Sequence, residues 1–156
     1  MSDTTYTATR PIIPALAPLT NALAPLGEPL VRIAAGLLLI PHAAQKLFGA
    51  FGGYGLEATG QFFATKLGLP ASFALIAGVI ELVGGVLLAI GFLTRPAAAL
   101  ITGVMAVAVV SVHLPAGFFW TDGGYEYPLL WGIVALSFVL RGGGRYSVDA
   151  AIAREF

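Results

Sequence analysis

The chain has 156 residues, 58% hydrophobic and 10% charged, with a mean hydropathy of +0.89. Soluble domains carry about 25% charged residues, so too little charge remains here to solvate an ordinary surface, and a membrane-embedded chain is implied. The formal net charge is zero and cysteine is absent, which excludes electrostatic capture of nucleic acid, disulfides, thiolate metal sites and dithiol redox chemistry by this chain.

Residues 1–10 are polar and are expected to fray. Residues 11–30 are apolar but carry Pro11, Pro14, Pro18, Pro25 and Pro29. Proline inside a helix costs about 3 kcal/mol, so this stretch is expected to stay out of the membrane as an interfacial segment, with a short helix between Pro18 and Pro25. A first span is expected from Pro29 to Phe48, ended by GAFGGYG at 49–55. Residues 56–67 place Leu56, Phe63 and Leu67 near one helical face and suit a short interfacial helix. A second span is expected over Ala71–Leu93, a tight turn at Thr94-Arg95-Pro96, a third span over Ala97–Leu114 stopped by Pro115, and a short fourth over Tyr125–Leu140. Spanning backbone must satisfy its own hydrogen bonds, and strand-like alternation is absent. The expected fold is therefore all-α, a transmembrane four-helix up-down bundle with one short interfacial helix in the first outer loop. Its domains read as 1–28 (proline-rich segment), 29–141 (membrane domain) and 142–156 (tail).

Arg10, Arg32, Arg95, Arg141, Arg145 and Arg154 fall on one side of this topology, and only Lys46 and Lys66 on the other. The positive-inside rule then puts both termini in the cytoplasm of a bacterial inner-membrane protein. Aromatics Phe118, Phe119, Trp120, Tyr125 and Tyr127 crowd the outer interface.

Ionisable groups inside a membrane are costly and need a reason. His42, Gln45 and Lys46 share one face of the first span, and Pro41 leaves the Leu37 carbonyl without its helical donor, so a kink is expected. Glu81 lies about ten residues into the second span, near mid-membrane at about 1.5 Å per residue, among Gly78, Gly84 and Gly85. It is expected to face the first span and meet His42, Gln45 or Lys46. His113 and Glu126 join the outer end. Each has a plainer reading: Lys46 snorkelling to the interface, His42 as an interhelical hydrogen bond, Glu81 as a structural pair in a packing seam, His113 and Glu126 as interfacial groups touching water. The functional reading rests on their convergence in the outer half. His42 and His113 on different helices also admit haem ligation, a disfavoured alternative, and no metal signature is present. GAFGGYG follows a membrane helix rather than a strand, so it fails as a dinucleotide loop.

The blocks His-x-x-Gln-Lys-Leu at 42–47, Glu-Leu-x-Gly-Gly at 81–85 and Gly-Gly-Tyr-Glu-Tyr at 123–127, in that order, resemble the DoxX family of small bacterial membrane proteins over most of residues 31–150. The resemblance implies four helices and marks His42, Gln45, Lys46, Glu81, His113, Tyr125 and Glu126 as characteristic polar positions. The family takes its name from similarity to the membrane subunit of a thiosulfate:quinone oxidoreductase, and some members are similar to anchors for soluble redox enzymes. The leading expectation is a redox-linked membrane subunit that binds a quinone, with Glu81, His42 and Lys46 as catalytic groups and Gln45, His113, Tyr125 and Glu126 as binding groups. A non-enzymatic scaffold for soluble redox or stress-defence proteins and a small-solute or lipid transporter are the alternatives. The expected partners are the lipid bilayer, a soluble redox protein, and a second copy docked through the glycine-rich face.

Overall fold

The structure is a computed structural model that describes residues 11–154, and every regular element among them is helical. The expected fraying of residues 1–10 lies outside the described residues, as do the last two residues of the expected tail.

Helix α1 runs Pro14–Phe48. It begins far earlier than Pro29, because the prolines fall where they cost little. Pro14, Pro18 and Pro25 each occupy the first or second position of a helical segment, with 3₁₀ turns at Pro14–Leu16 and Ala24–Leu26. A missing N–H is an orphan at those positions in any case. Residues 14–26 bury no side chain. At about 1.5 Å per residue α1 is about 52 Å long, well beyond a hydrocarbon core of about 30 Å. The segment Gly27–Phe48 alone matches one crossing. The helix continues through Pro41 and ends at Gly49, whose φ of 69° lets its N–H reach the Ala44 carbonyl.

Helix α2 is Gly55–Lys66, α3 is Ser72–Ile90 and α4 is Thr94–Ala116, α5 is Glu126–Arg141 and α6 is Val148–Ala151. By length and composition α1, α3 and α4 can each cross a membrane. Helix α5, with 16 residues, is about 24 Å long. The turn between α3 and α4 is residues 91–93, with Gly91 and Leu93 at positive φ (71° and 49°), and Thr94-Arg95-Pro96 is the first turn of α4 rather than the turn itself. Proline is tolerated in a first turn. Pro115 sits in the closing 3₁₀ turn of α4, Leu114–Ala116, so the helix ends one residue past it, close to the expected stop.

Helices α1, α3, α4 and α5 pack side by side in that order, each antiparallel to the one before, and α5 touches α1 only lightly. Trp131 of α5 donates its indole N–H to the Ala35 carbonyl across that last gap, at 3.2 Å. The core is Ala35, Leu39, Leu88, Ala98, Ile101, Met105, Ala135 and Phe138. Alanine and glycine are prominent because helices in lipid associate by close backbone approach rather than by hiding apolar surface from water. The large side chains point outward: Leu30, Val110 and Leu140 are each exposed by 65% or more, as a lipid-facing surface requires.

The α1–α3 seam is the tightest contact. A Cβ on Gly36 would collide with the Gly85 carbonyl and the Ala89 amide, and one on Gly78 with the Leu47 side chain. Gly84 meets Ile101 of α4. The glycine-rich face is thus taken up in contacts within one chain.

Gly36→Leu is expected to lower stability by about 1–3 kcal/mol or more through overpacking. Gly103→Ala, where a Cβ meets nothing within 4 Å, is expected to be neutral or to gain up to about 1 kcal/mol of helix propensity. Melting in detergent checks both; equal effects would show that the seam is not close-packed.

Candidate functional site

Lys46 and Glu81 meet in the α1–α3 seam. Lys46 Nζ donates to Glu81 Oε2 at 2.7 Å. Glu81 is 4% exposed and the Lys46 side chain 28%. Helical Cα–Cβ bonds lean toward the helix N-terminus. In an antiparallel pair that tilts Lys46 inward along α1 and Glu81 outward along α3, so the two side chains converge although Lys46 starts within a turn of the helix end. Lys46 therefore turns into the bundle instead of snorkelling out. Glu81 lies in a π-helical turn, Ile80–Gly84, and His113 ends a second one, Val109–His113. Such turns occur often at functional sites, and each widens its helix beside a polar side chain here.

The other candidates are not gathered around this pair. His42 is exposed on the surface of α1 and makes no hydrogen bond among the described residues. Gln45 Nε2 donates to the Phe51 carbonyl at 3.2 Å, tying down the turn after α1. His113 Nδ1 lies 2.6 Å from the Gly123 carbonyl, and Glu126 Oε2 accepts from the Trp120 amide at 3.2 Å. The Tyr125 ring stands edge-on to Phe118 at 5.5 Å, and its amide donates to the Gly117 carbonyl. These three residues order the loop between α4 and α5. No hydrogen bond joins them to Lys46 or Glu81. Among the described residues no three His, Asp or Glu side chains gather as a metal site would need. A cavity of about 460 Å³ lies between α2 and the start of α3, lined by Glu57, Gly60, Gln61, Thr65, Ser72 and Leu75 among others, away from the ion pair. Helix α2 closes on α3 through small residues, Gly60 against Ala71, while Phe63 and Leu67 are half-buried.

The DoxX family profile matches residues 28–114, from partway along α1 to the last turn of α4, and so spans both partners of the ion pair. The chain belongs to the DoxX family. It is 31% identical over 123 residues to a protein of Bacillus subtilis named "Putative oxidoreductase CatD", covering 79% of this chain and 84% of that one. It is 28% identical over 139 residues to the uncharacterized membrane protein Rv3486 of Mycobacterium tuberculosis, 80% of each chain. An uncharacterized protein of Haemophilus influenzae is 40% identical over 78 residues, 48% of this chain and 58% of that one. No solved structure gives a match.

At the opposite end this DoxX chain holds a second polar group that the sequence reading missed. Arg32, counted as a rim charge, is 1% exposed. Its Nη1 donates to the Leu88 and Ala89 carbonyls at 2.8 Å, and its Nη2 to the Tyr146 carbonyl at 2.7 Å. A cation on the last carbonyls of α3 also suits that helix's dipole. Its Nε is buried without a partner. Across the turn, Asp149 of α6 accepts from the Leu93 amide (2.9 Å), the Thr94 amide (2.9 Å) and the Thr94 hydroxyl (2.7 Å). One residue caps the end of α3 and the other the start of α4. A depth-blind count of positive charges could not find Arg32. The available signal for Asp149 was an acid in a short tail that also carries Arg145 and Arg154.

Burial pushes the Asp149 carboxyl up, but hydrogen bonds from Thr94 and Leu93 and the charge of Arg32 outweigh it, leaving the group below its ordinary value. A carboxyl with a depressed folded pKa stabilises above its unfolded pKa of about 3.9 and loses that contribution as pH falls through the folded value. Asp149→Asn is therefore expected to melt below wild type at pH 7, by about 1.5–3 kcal/mol for charge-assisted bonds. The gap should narrow once pH drops below about 4. A gap that stays constant down to pH 3 in detergent melts would show that the charge is not what matters.

Proposed function

We propose that this DoxX protein is a redox-linked membrane subunit that binds a quinone-like molecule in the outer half of a four-span bundle. Helix α5 is the fourth span, α2 lies in the outer interface, and both termini face the cytoplasm of a bacterial inner membrane. The observation that carries the reading is the Lys46–Glu81 pair, held between apolar helices at a π-helical turn. Ion pairs withdrawn from water are poor stabilisers compared with apolar packing of the same volume, so retaining one here is better accounted for by proton chemistry. The name carried by the Bacillus relative agrees with an oxidoreductase setting.

Reducing a quinone to a quinol takes two electrons and two protons. A soluble redox partner supplies the electrons, since this chain has no thiol. Glu81 passes protons, Lys46 holds the carboxylate when it is charged, and His42 meets an apolar ring arriving laterally from the bilayer. Positioned acids and bases of this kind contribute about 10²–10⁴-fold. Gln45, His113, Tyr125 and Glu126 shape the outer end as binding groups.

A second reading, a membrane anchor for a soluble redox or stress-defence protein, draws on a different observation. The loop between α4 and α5 is knit by His113, Glu126 and its own backbone bonds while exposing Phe119 and Trp120 by 63% and 53%. That is a preordered surface for a partner.

Glu81→Gln keeps the shape and removes the exchangeable charge. Under the first reading it should leave folded yield nearly intact and cut quinone-linked turnover, assayed with the copurified partner, by at least about 10²-fold. Quinone extracted with wild-type protein is expected. No quinone in wild type, with a partner that still copurifies with Glu81→Gln and His42→Ala, would replace the first reading by the second.

For topology, a reporter fused after Phe156 should be active only in the cytoplasm. Activity confined to the far side would reverse the orientation.

A further inference from the structure

At the basic end of the bundle a cavity of about 420 Å³ opens between the end of α5 and α6. Its lining includes Arg141, Gly144, Arg145, Ser147, Asp149 and Arg154. We propose that it binds a phosphate-bearing anion, either the phosphodiester headgroup of a membrane phospholipid or a soluble phosphate, between Arg141, Arg145 and Arg154.

The charges decide the sign of the ligand. Asp149 is the acid in the lining, and its carboxylate is spent on Leu93 and Thr94. Arg141 is partly neutralised: its Nη2 donates to Glu28 at 2.8 Å. A guanidinium has five N–H donors, so this bond leaves most of them free. Arg145 and Arg154 meet no carboxylate among the described residues. The three guanidiniums therefore outnumber the two carboxylates beside them, Asp149 and Glu28, and leave the cavity with an excess of positive charge.

Shape supports the same conclusion. Gly142 and Gly144 take positive φ (79° and 68°), which folds the chain back so that α6 stands beside the end of α5. Arg141, Arg145 and, beyond α6, Arg154 all line the cavity. Arg145 packs its guanidinium against the Tyr146 ring at 5.4 Å, and Arg141 is held by Glu28, so two of the three forks are oriented before a ligand arrives. Planar guanidinium forks match phosphate oxygens in pairs, which a lysine ammonium does not. Basic pockets beside the ends of membrane helices, at headgroup level, are where anionic lipid is recognised.

The test uses the full chain purified in detergent and reconstituted in nanodiscs of phosphatidylcholine with phosphatidylglycerol as the minor component and the probe. Wild type should retain phosphatidylglycerol in excess over phosphatidylcholine after re-extraction, and Arg145→Gln/Arg154→Gln should lower that excess at least fivefold. Lys66→Gln, a charge change at the opposite end, should leave it unchanged. If wild type shows no lipid preference but millimolar inorganic phosphate raises its melting temperature and fails to do so in the double variant, the site is one for soluble phosphate. Equal phosphatidylglycerol retention and an equal response to phosphate in wild type and the double variant overturn the proposal. Arg145→Lys keeps the charge and serves where the double variant misfolds: a drop in retention with normal melting supports the fork, and unchanged retention with unchanged phosphate response counts against it.

Discussion

Everything else in this bundle depends on how the α3–α4 hairpin closes. Two apolar helices joined by three residues leave orphan carbonyls at the end of α3 and orphan amides at the start of α4. Near a membrane those groups cannot rely on bulk water. Arg32, from a helix more than fifty residues earlier in the chain, supplies the donors, and Asp149, from a helix more than fifty residues later, supplies the acceptors. The first and last described elements are thereby locked onto the central turn. Asp149 also donates its amide to the Gly91 carbonyl, so even the backbone of α6 takes part.

That closure sets the register of α1 against α3. With Arg32 fixed on Leu88 and Ala89, Gly36 must pass Gly85, and one turn at a time the seam carries Lys46 to Glu81 and Leu47 to Gly78. The ion pair is a consequence of this register. A side chain larger than hydrogen at Gly36 would push the helices apart and lengthen the Lys46–Glu81 contact some 15 Å away, at about 1.5 Å per residue. Packing near the middle of the seam and the ion pair further along it are thereby coupled through the α1–α3 pair.

Much of this was legible in the sequence, and the misses have physical causes. Apolar runs of the right length marked α1, α3 and α4, and the depth of Glu81 together with glycine on its flank pointed to a seam in which Lys46 was one of three partners offered. The short helix expected between Pro18 and Pro25 is present as Ala17–Leu23, but the proline-rich start is helical over more of its length than expected, because Pro18 and Pro25 open new helical segments and incur almost none of the interior cost. Charging proline that full cost also misplaced the turn at Thr94-Arg95-Pro96. Conformation at Leu93, a non-glycine residue at φ 49°, is enforced by Asp149 bonding its amide, a tertiary contact that no local pattern announces. His113, Tyr125 and Glu126 were grouped with the ion pair because topology puts them at one end. Side-chain direction turns them toward their own loop instead.

The two polar systems differ in how fully they are satisfied, and that difference separates scaffold from candidate chemistry. Arg32 spends its two terminal nitrogens on three backbone carbonyls, and Asp149 fills both carboxylate oxygens with three donors. Arg32 keeps one buried donor unmatched, its Nε, but the bonds that each residue does make cap a helix end, and each would cost a cap if it moved. Lys46 and Glu81 each make one side-chain hydrogen bond among the described residues, to one another. An ammonium has three donors and a carboxylate about four acceptor sites. Most of that capacity is unspent, in a setting where an unmet polar group is expensive. A pair in that condition gains from any additional polar group brought to it, water or ligand, and can exchange a proton without dismantling the fold. In this chain the residues fit for chemistry are the ones the architecture does not use up.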